Sequence, residues 1–173
     1  MLRASIVSTA LALIAATAQA GDASIAVKGW GDLVLPLPAG WHAAARTGGG
    51  TLTLTAATGK AFRIEVSPLR AADGFMPDAS KASLRSIVSL EAQTTLPHAV
   101  EKALPVRELP PGRVYGSYFS ATDRAPAPGE FKYMTQGVIA VQGLPVVFTI
   151  LSDGDRRTSD EPALRMLQGA HKR

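Results

Sequence analysis

The sequence contains no cysteine. Without a thiol sulfur the chain cannot build a disulfide framework, hold an iron–sulfur cluster, use a cysteine nucleophile or carry an acylated lipoprotein anchor. Charge is also sparse. Charged residues make up 18% of the chain against 46% hydrophobic residues, which excludes a disordered polyelectrolyte and leaves enough apolar side chain for a core. The 18 Lys and Arg exceed the 14 Asp and Glu by a formal charge of +4, but they are scattered, so the excess builds no nucleic-acid face. No apolar run reaches the ~20 residues needed to span a bilayer. At 173 residues the chain is the size of one domain.

The longest apolar run opens the chain. Met1, Leu2 and Arg3 make a short positive start, residues 6–16 are apolar or small, and Ala18-Gln19-Ala20 places small residues where a signal peptidase needs them. Residues 1–20 read as an export signal cleaved after Ala20, giving a periplasmic or secreted product. Residues 21–31 read as an N-terminal segment, and 32–173 as a single domain.

Within that domain the hydrophobic period changes several times. Residues 32–38 are apolar with Pro36 and Pro38 at alternate positions, which predicts an edge strand or strand end. Thr51-Leu52-Thr53-Leu54-Thr55 alternates strictly, Thr58-Gly59-Lys60 reads as a turn, and residues 61–69 alternate again, so a hairpin is expected. Over residues 78–93 the period becomes helical, with Leu84, Ile87, Val88 and Glu91 three and four apart and Asp78 placed as the N-cap. A short strand at 106–109 and longer ones at 113–121, 131–142 and 144–152 follow. Gln142-Gly143 is a two-residue hairpin turn in which glycine takes a positive φ. Thr158 and Glu161 form a capping-box pattern for a closing helix, with Pro162 in its first turn. His171 falls in a frayed tail. Hairpins imply an antiparallel sheet and two amphipathic helices need sheet faces to cover, so the fold class is α+β, with an antiparallel sheet flanked by two main helices.

The phrase Leu35-Pro36-Leu37-Pro38-Ala39-Gly40-Trp41 is one of several that together resemble the PsbP/DcrB-like family. The others are the strand Tyr115-Gly116-Ser117-Tyr118-Phe119-Ser120 with Thr122-Asp123, then Gln136-Gly137, Phe148-Thr149-Ile150-Leu151 and the closing helix. The likeness spans residues 32–170. It implies an α/β/α sandwich and a non-catalytic exported protein that binds or stabilises a larger envelope partner, with no catalytic residue to carry over. The chain departs from some bacterial relatives in lacking a lipoprotein cysteine.

Motifs for chemistry are scarce. No Gly-x-Ser-x-Gly elbow is present, and Ser117 and Ser120 lie in a strand. His42, His98 and His171 are far apart and lack partners at helical metal-site spacing. Asp153-Gly154-Asp155 begins like a calcium loop, but Arg157 and Leu164 stand at later ligand positions, so a turn explains it. Gly48-Gly49-Gly50 precedes a strand rather than a helix and makes a loop, not a phosphate cradle. Arg156-Arg157 and His171-Lys172-Arg173 are short basic clusters without interleaved aromatics. No cofactor, metal or nucleic acid is therefore expected, and the chain reads as a monomer. Most strand aromatics, Tyr115, Phe119, Tyr133 and Phe148 among them, are assigned to the core. Trp30, flanked by Gly29 and Gly31, and the proline-stiffened loop 122–130, with Asp123, Arg124 and Glu130, are the candidate partner-binding residues. The competing reading is a small secreted hydrolase that uses two of the loop carboxylates Asp123, Glu130 and Asp153 as acid and base.

Overall fold

The computed structural model describes residues 21–45, 50–56, 62–69, 77–154 and 156–173, without the Arg157 side chain. The expected export signal, Gly48 and Gly49, the 58–60 turn and Asp155 lie outside them. In chain order the strands are β1 (Gly21–Val27), β2 (Gly31–Leu37), β3 (Trp41–Ala45), β4 (Leu52–Ala56), β5 (Phe62–Pro68), β6 (Arg107–Glu108), β7 (Tyr115–Thr122), β8 (Tyr133–Val141), β9 (Leu144–Ser152) and β10 (His171–Lys172). Helix α1 (Lys81–Thr95) sits between β5 and β6, and α2 (Arg156–Gln168) between β9 and β10. The fold is α+β, and every strand pairing among the described residues is antiparallel. No helix among the described residues is long and apolar enough to cross a membrane.

Seven strands form one sheet in the order β3-β4-β5-β9-β8-β7-β6, and β1-β2-β10 form a second. The β8–β9 hairpin is built as the sequence predicts: Gln142 and Gly143 have φ of 47° and 84°, both positive, the condition for a turn that follows the strand twist. Alternation divides the large sheet into two faces. Leu54, Ile64, Ile139, Val146, Phe148 and Ile150 point to one, where they join Ile25, Leu33 and Leu35 of the small sheet and Ala163 and Leu167 of α2. Phe119, Ala121, Val138 and Ala140 point to the other, beneath Leu84, Val88 and Ala92 of α1. Both helices thus pack on the large sheet, from opposite sides.

Several details differ from the sequence reading. Residues 21–27 pair along their whole length with β2 and bury Ala23, Ile25 and Val27, because alternate small and apolar side chains suffice for a strand with one covered face. Strand β2 is central in its sheet, yet β10 reaches only Val34 and Leu33. Pro36 therefore lies beyond that pairing, where its missing N–H interrupts no ladder. His171 is not in a loose tail but in β10, which closes the small sheet and is fastened by reciprocal Asp32–Arg173 backbone bonds. The cap of α1 is Ser80, which accepts from the Ser83 N–H, while Asp78 stands two residues earlier and accepts from Ser80. Helix α2 begins at Arg156, ahead of Thr158, so Pro162 is seven residues in. From these first turns Arg156 bonds to Thr122 and Asp160 to Thr135 of the sheet. Among the aromatics, Phe119 and Phe148 are fully buried, whereas Tyr115 is 37% exposed and donates its hydroxyl to the Ala79 carbonyl.

Candidate functional site

The loop 122–132 leaves the end of β7 and returns as β8, and it walls a cavity of about 420 Å³ on the face of the large sheet that carries α1. Ala121, Met134 and Leu151 form the sheet side of the cavity, and Thr95 and His98 enter from the C-terminal end of α1. Asp123, Glu130, Phe131 and Lys132 enter from the loop. Arg63 reaches it from β5, with its guanidinium 5.3 Å from the centre of the Phe131 ring and Nε 3.5 Å from Glu65. The composition, apolar walls with a few charged groups at the rim, is that of a ligand or side-chain pocket.

Of the predicted loop residues Asp123 and Glu130 line this cavity and Arg124 does not, and all three tie the loop down. Asp123 Oδ1 accepts from the Ala125 N–H at 2.9 Å, and Glu130 Oε2 accepts from the Ala127 N–H at 3.0 Å. Arg124 donates from Nη2 to the Ala99 carbonyl at 2.7 Å and from its backbone to the His98 carbonyl at 3.0 Å. Asp153 Oδ1 accepts from the Lys132 N–H at 2.9 Å, so it anchors the far end of the loop from the β9 side and does not line the cavity. The three carboxylates of the hydrolase reading are all engaged by backbone N–H groups, an arrangement that orients the chain. Trp30 lies elsewhere. It packs partly buried against the main core, donates its indole N–H to the Gln142 carbonyl at 3.4 Å, and carries the Lys172 ammonium 5.2 Å from its ring. The tryptophan and the loop are therefore separate surfaces.

On the opposite face of the sheet a polar cluster fastens the first turns of α2. Thr122 donates from its N–H to Glu101 Oε2 at 2.9 Å and from its hydroxyl to Glu101 Oε1 at 2.7 Å, and Arg156 Nη2 donates to the Thr122 hydroxyl at 2.9 Å. Partial burial works to push the Glu101 carboxyl up, but the two Thr122 donors together with the Arg156 charge hold it below its ordinary value. One turn along, fully buried Thr135 donates to Asp160 Oδ2 at 2.6 Å and shares a hydrogen bond with Ser120 at 2.7 Å. Burial dominates at Asp160 and raises its carboxyl above the usual range, despite Thr135, Arg156 and Ser159. A groove of about 420 Å³ runs beside this cluster between α2 and the β6–β7 edge.

Sequence reasoning missed Arg63, Phe131 and His98 as neighbours, because β5, the 122–132 loop and the end of α1 meet only through sheet order. It treated Arg156 as part of a surface cluster. The one available signal was the helical spacing of Arg156, Asp160, Leu164 and Gln168, four apart, which puts all of them on one ridge of α2. No family model matches the chain, and no curated protein matches it.

Proposed function

We propose that this protein is an exported, non-catalytic envelope module that binds a larger protein partner through the surface around loop 122–132. The observation that carries the reading is the cavity behind that loop together with the hydrogen bonds that hold its wall in place. A surface ordered before binding loses less conformational entropy on complex formation, and an apolar recess beside it accepts an anchoring side chain. The carboxylates favour the same reading over hydrolysis, since an acid held by a backbone donor serves loop geometry. The fold-level counterpart is an α/β/α sandwich of the PsbP/DcrB-like kind, supported by α1 and α2 packing on opposite faces of one sheet.

The test replaces residues 123–129 by a Gly/Ser segment of equal length and compares capture of envelope proteins by the variant and the unaltered protein. The variant is expected to melt cooperatively and to lose the specifically captured partner. Full capture by a folded variant would eliminate this surface and leave Trp30 and the β1–β2 turn as the place to look.

A further inference from the structure

A second concave site lies on the other face of the sheet and is independent of the loop surface. We propose that the groove between α2 and the β6–β7 edge binds a small organic carboxylate with an apolar ring or chain.

The groove has two kinds of wall. Leu164, Pro110 and Tyr118 contribute apolar lining, and Arg107, Arg156 and Arg165 are its basic residues. The charges are unequally compensated. Arg165 is held by Glu161 at 3.0 Å, and Nη2 of Arg156 is engaged by Thr122, with Glu101 at 3.5 Å. The exposed side chain of Arg107 forms no ion pair among the described residues. Nε of Arg156 is buried and has no hydrogen-bond partner among them either. Its guanidinium also stacks over Tyr133, 5.3 Å from the ring centre, so Arg156 is committed and the groove offers the uncommitted Arg107 cation to the planar acceptor pair of a carboxylate.

The acids decide which anion fits. Asp160 and Glu161 line the same groove, so a phosphate dianion would meet two carboxylates at close range, whereas a monoanion meets less repulsion and still pairs with Arg107. The apolar lining adds a requirement that inorganic ions cannot meet: a ring or chain to cover Leu164 and Tyr118. A carboxylate joined to an apolar body answers both.

Titration with 2-naphthoate, its neutral isostere 2-naphthamide and inorganic phosphate tests this directly, by calorimetry with the binding site located from amide NMR shifts. Expected is saturable binding of 2-naphthoate with shifts on α2 and β7, and much weaker binding of the amide and of phosphate. Arg107→Gln should weaken 2-naphthoate about tenfold, the equivalent of one charge-assisted hydrogen bond, and Arg107→Lys should restore part of it. Arg107 is exposed, so both variants are expected to fold, which circular dichroism checks. Arg63→Gln, in the other cavity, should leave the affinity unchanged. Absence of saturable 2-naphthoate binding, equal binding of the amide, tighter binding of phosphate, or sensitivity to Arg63 instead of Arg107 would each overturn the proposal.

Discussion

Thr135 is the point at which the core of this protein depends on a proton, and its replacement by valine isolates that dependence. The side chain is fully buried, its hydroxyl lies 2.6 Å from Asp160 Oδ2 and 2.7 Å from Ser120 Oγ, and valine has nearly its shape. A hydrogen bond to a charged group contributes about 1.5–3 kcal/mol, while Ser120, only partly buried, can exchange its bond for water at small cost. The added methyl returns a fraction of the loss by apolar burial, so Thr135→Val should destabilise by about 2 kcal/mol at neutral pH. For a domain of this size that is a fall in Tm of about 4–8 °C.

The pH dependence separates this account from simple repacking. Burial holds the Asp160 carboxyl above its ordinary value, so as pH rises from the unfolded value to the native one, the native state keeps a proton that the unfolded state has lost, and stability falls. Thr135 counteracts the burial by favouring the ionised form. Removing it raises the native value further, which extends the unfavourable window upward. The loss caused by Thr135→Val should therefore be largest at neutral to alkaline pH, where Asp160 is ionised, and shrink as pH falls below the ordinary aspartate value of about 3.9, where the carboxyl is protonated in native and unfolded states alike. Urea unfolding across that range measures it. A destabilisation equal at both ends, or none at either, would refute the role assigned to the Thr135–Asp160 bond.

Other consequences are local. A side chain at Gly137 would place its Cβ 2.7 Å from both Phe148 Cζ and Tyr118 Cβ and against the Ser117 carbonyl, so Gly137→Ala should cost about 3 kcal/mol in urea unfolding. Gly143 is the opposite case: no described residue comes within 4 Å of the place a Cβ would occupy, but φ is 84°, so Gly143→Val should cost about 1–3 kcal/mol through backbone strain alone. An unchanged melting temperature in that variant would argue against the tight turn. N-terminal sequencing of the native protein should begin at Gly21, in the periplasmic or secreted fraction; recovery of residues before Ala18 from a membrane pellet would contradict export with cleavage.

The sequence by itself determined the features whose physics is local. Strict alternation in Leu52–Ala56 and Phe62–Pro68, the helical period through Leu84 and Val88, and the positive-φ turn at Gly143 depend on residues within a few positions of one another, and each is legible without a fold. What the tertiary structure decided is which of these elements meet. Strand β5 lies beside β9, far away along the chain, and β2 collects both β1 and the chain's last strand, because antiparallel edges pair wherever their apolar faces share a core. That choice leaves no periodic trace in either partner. It also decides both concave sites: Arg63 meets Phe131 only once β5 and the 122–132 loop stand at one end of the sheet, and Arg107 meets Arg156 only across the β6–β7 edge. The start of α2 follows the same rule. Thr158 and Glu161 carry the local capping pattern, while the helix begins at Arg156 and its first turns reach the sheet through the Arg156–Thr122 and Asp160–Thr135 bonds, partners that only the tertiary fold brings within range.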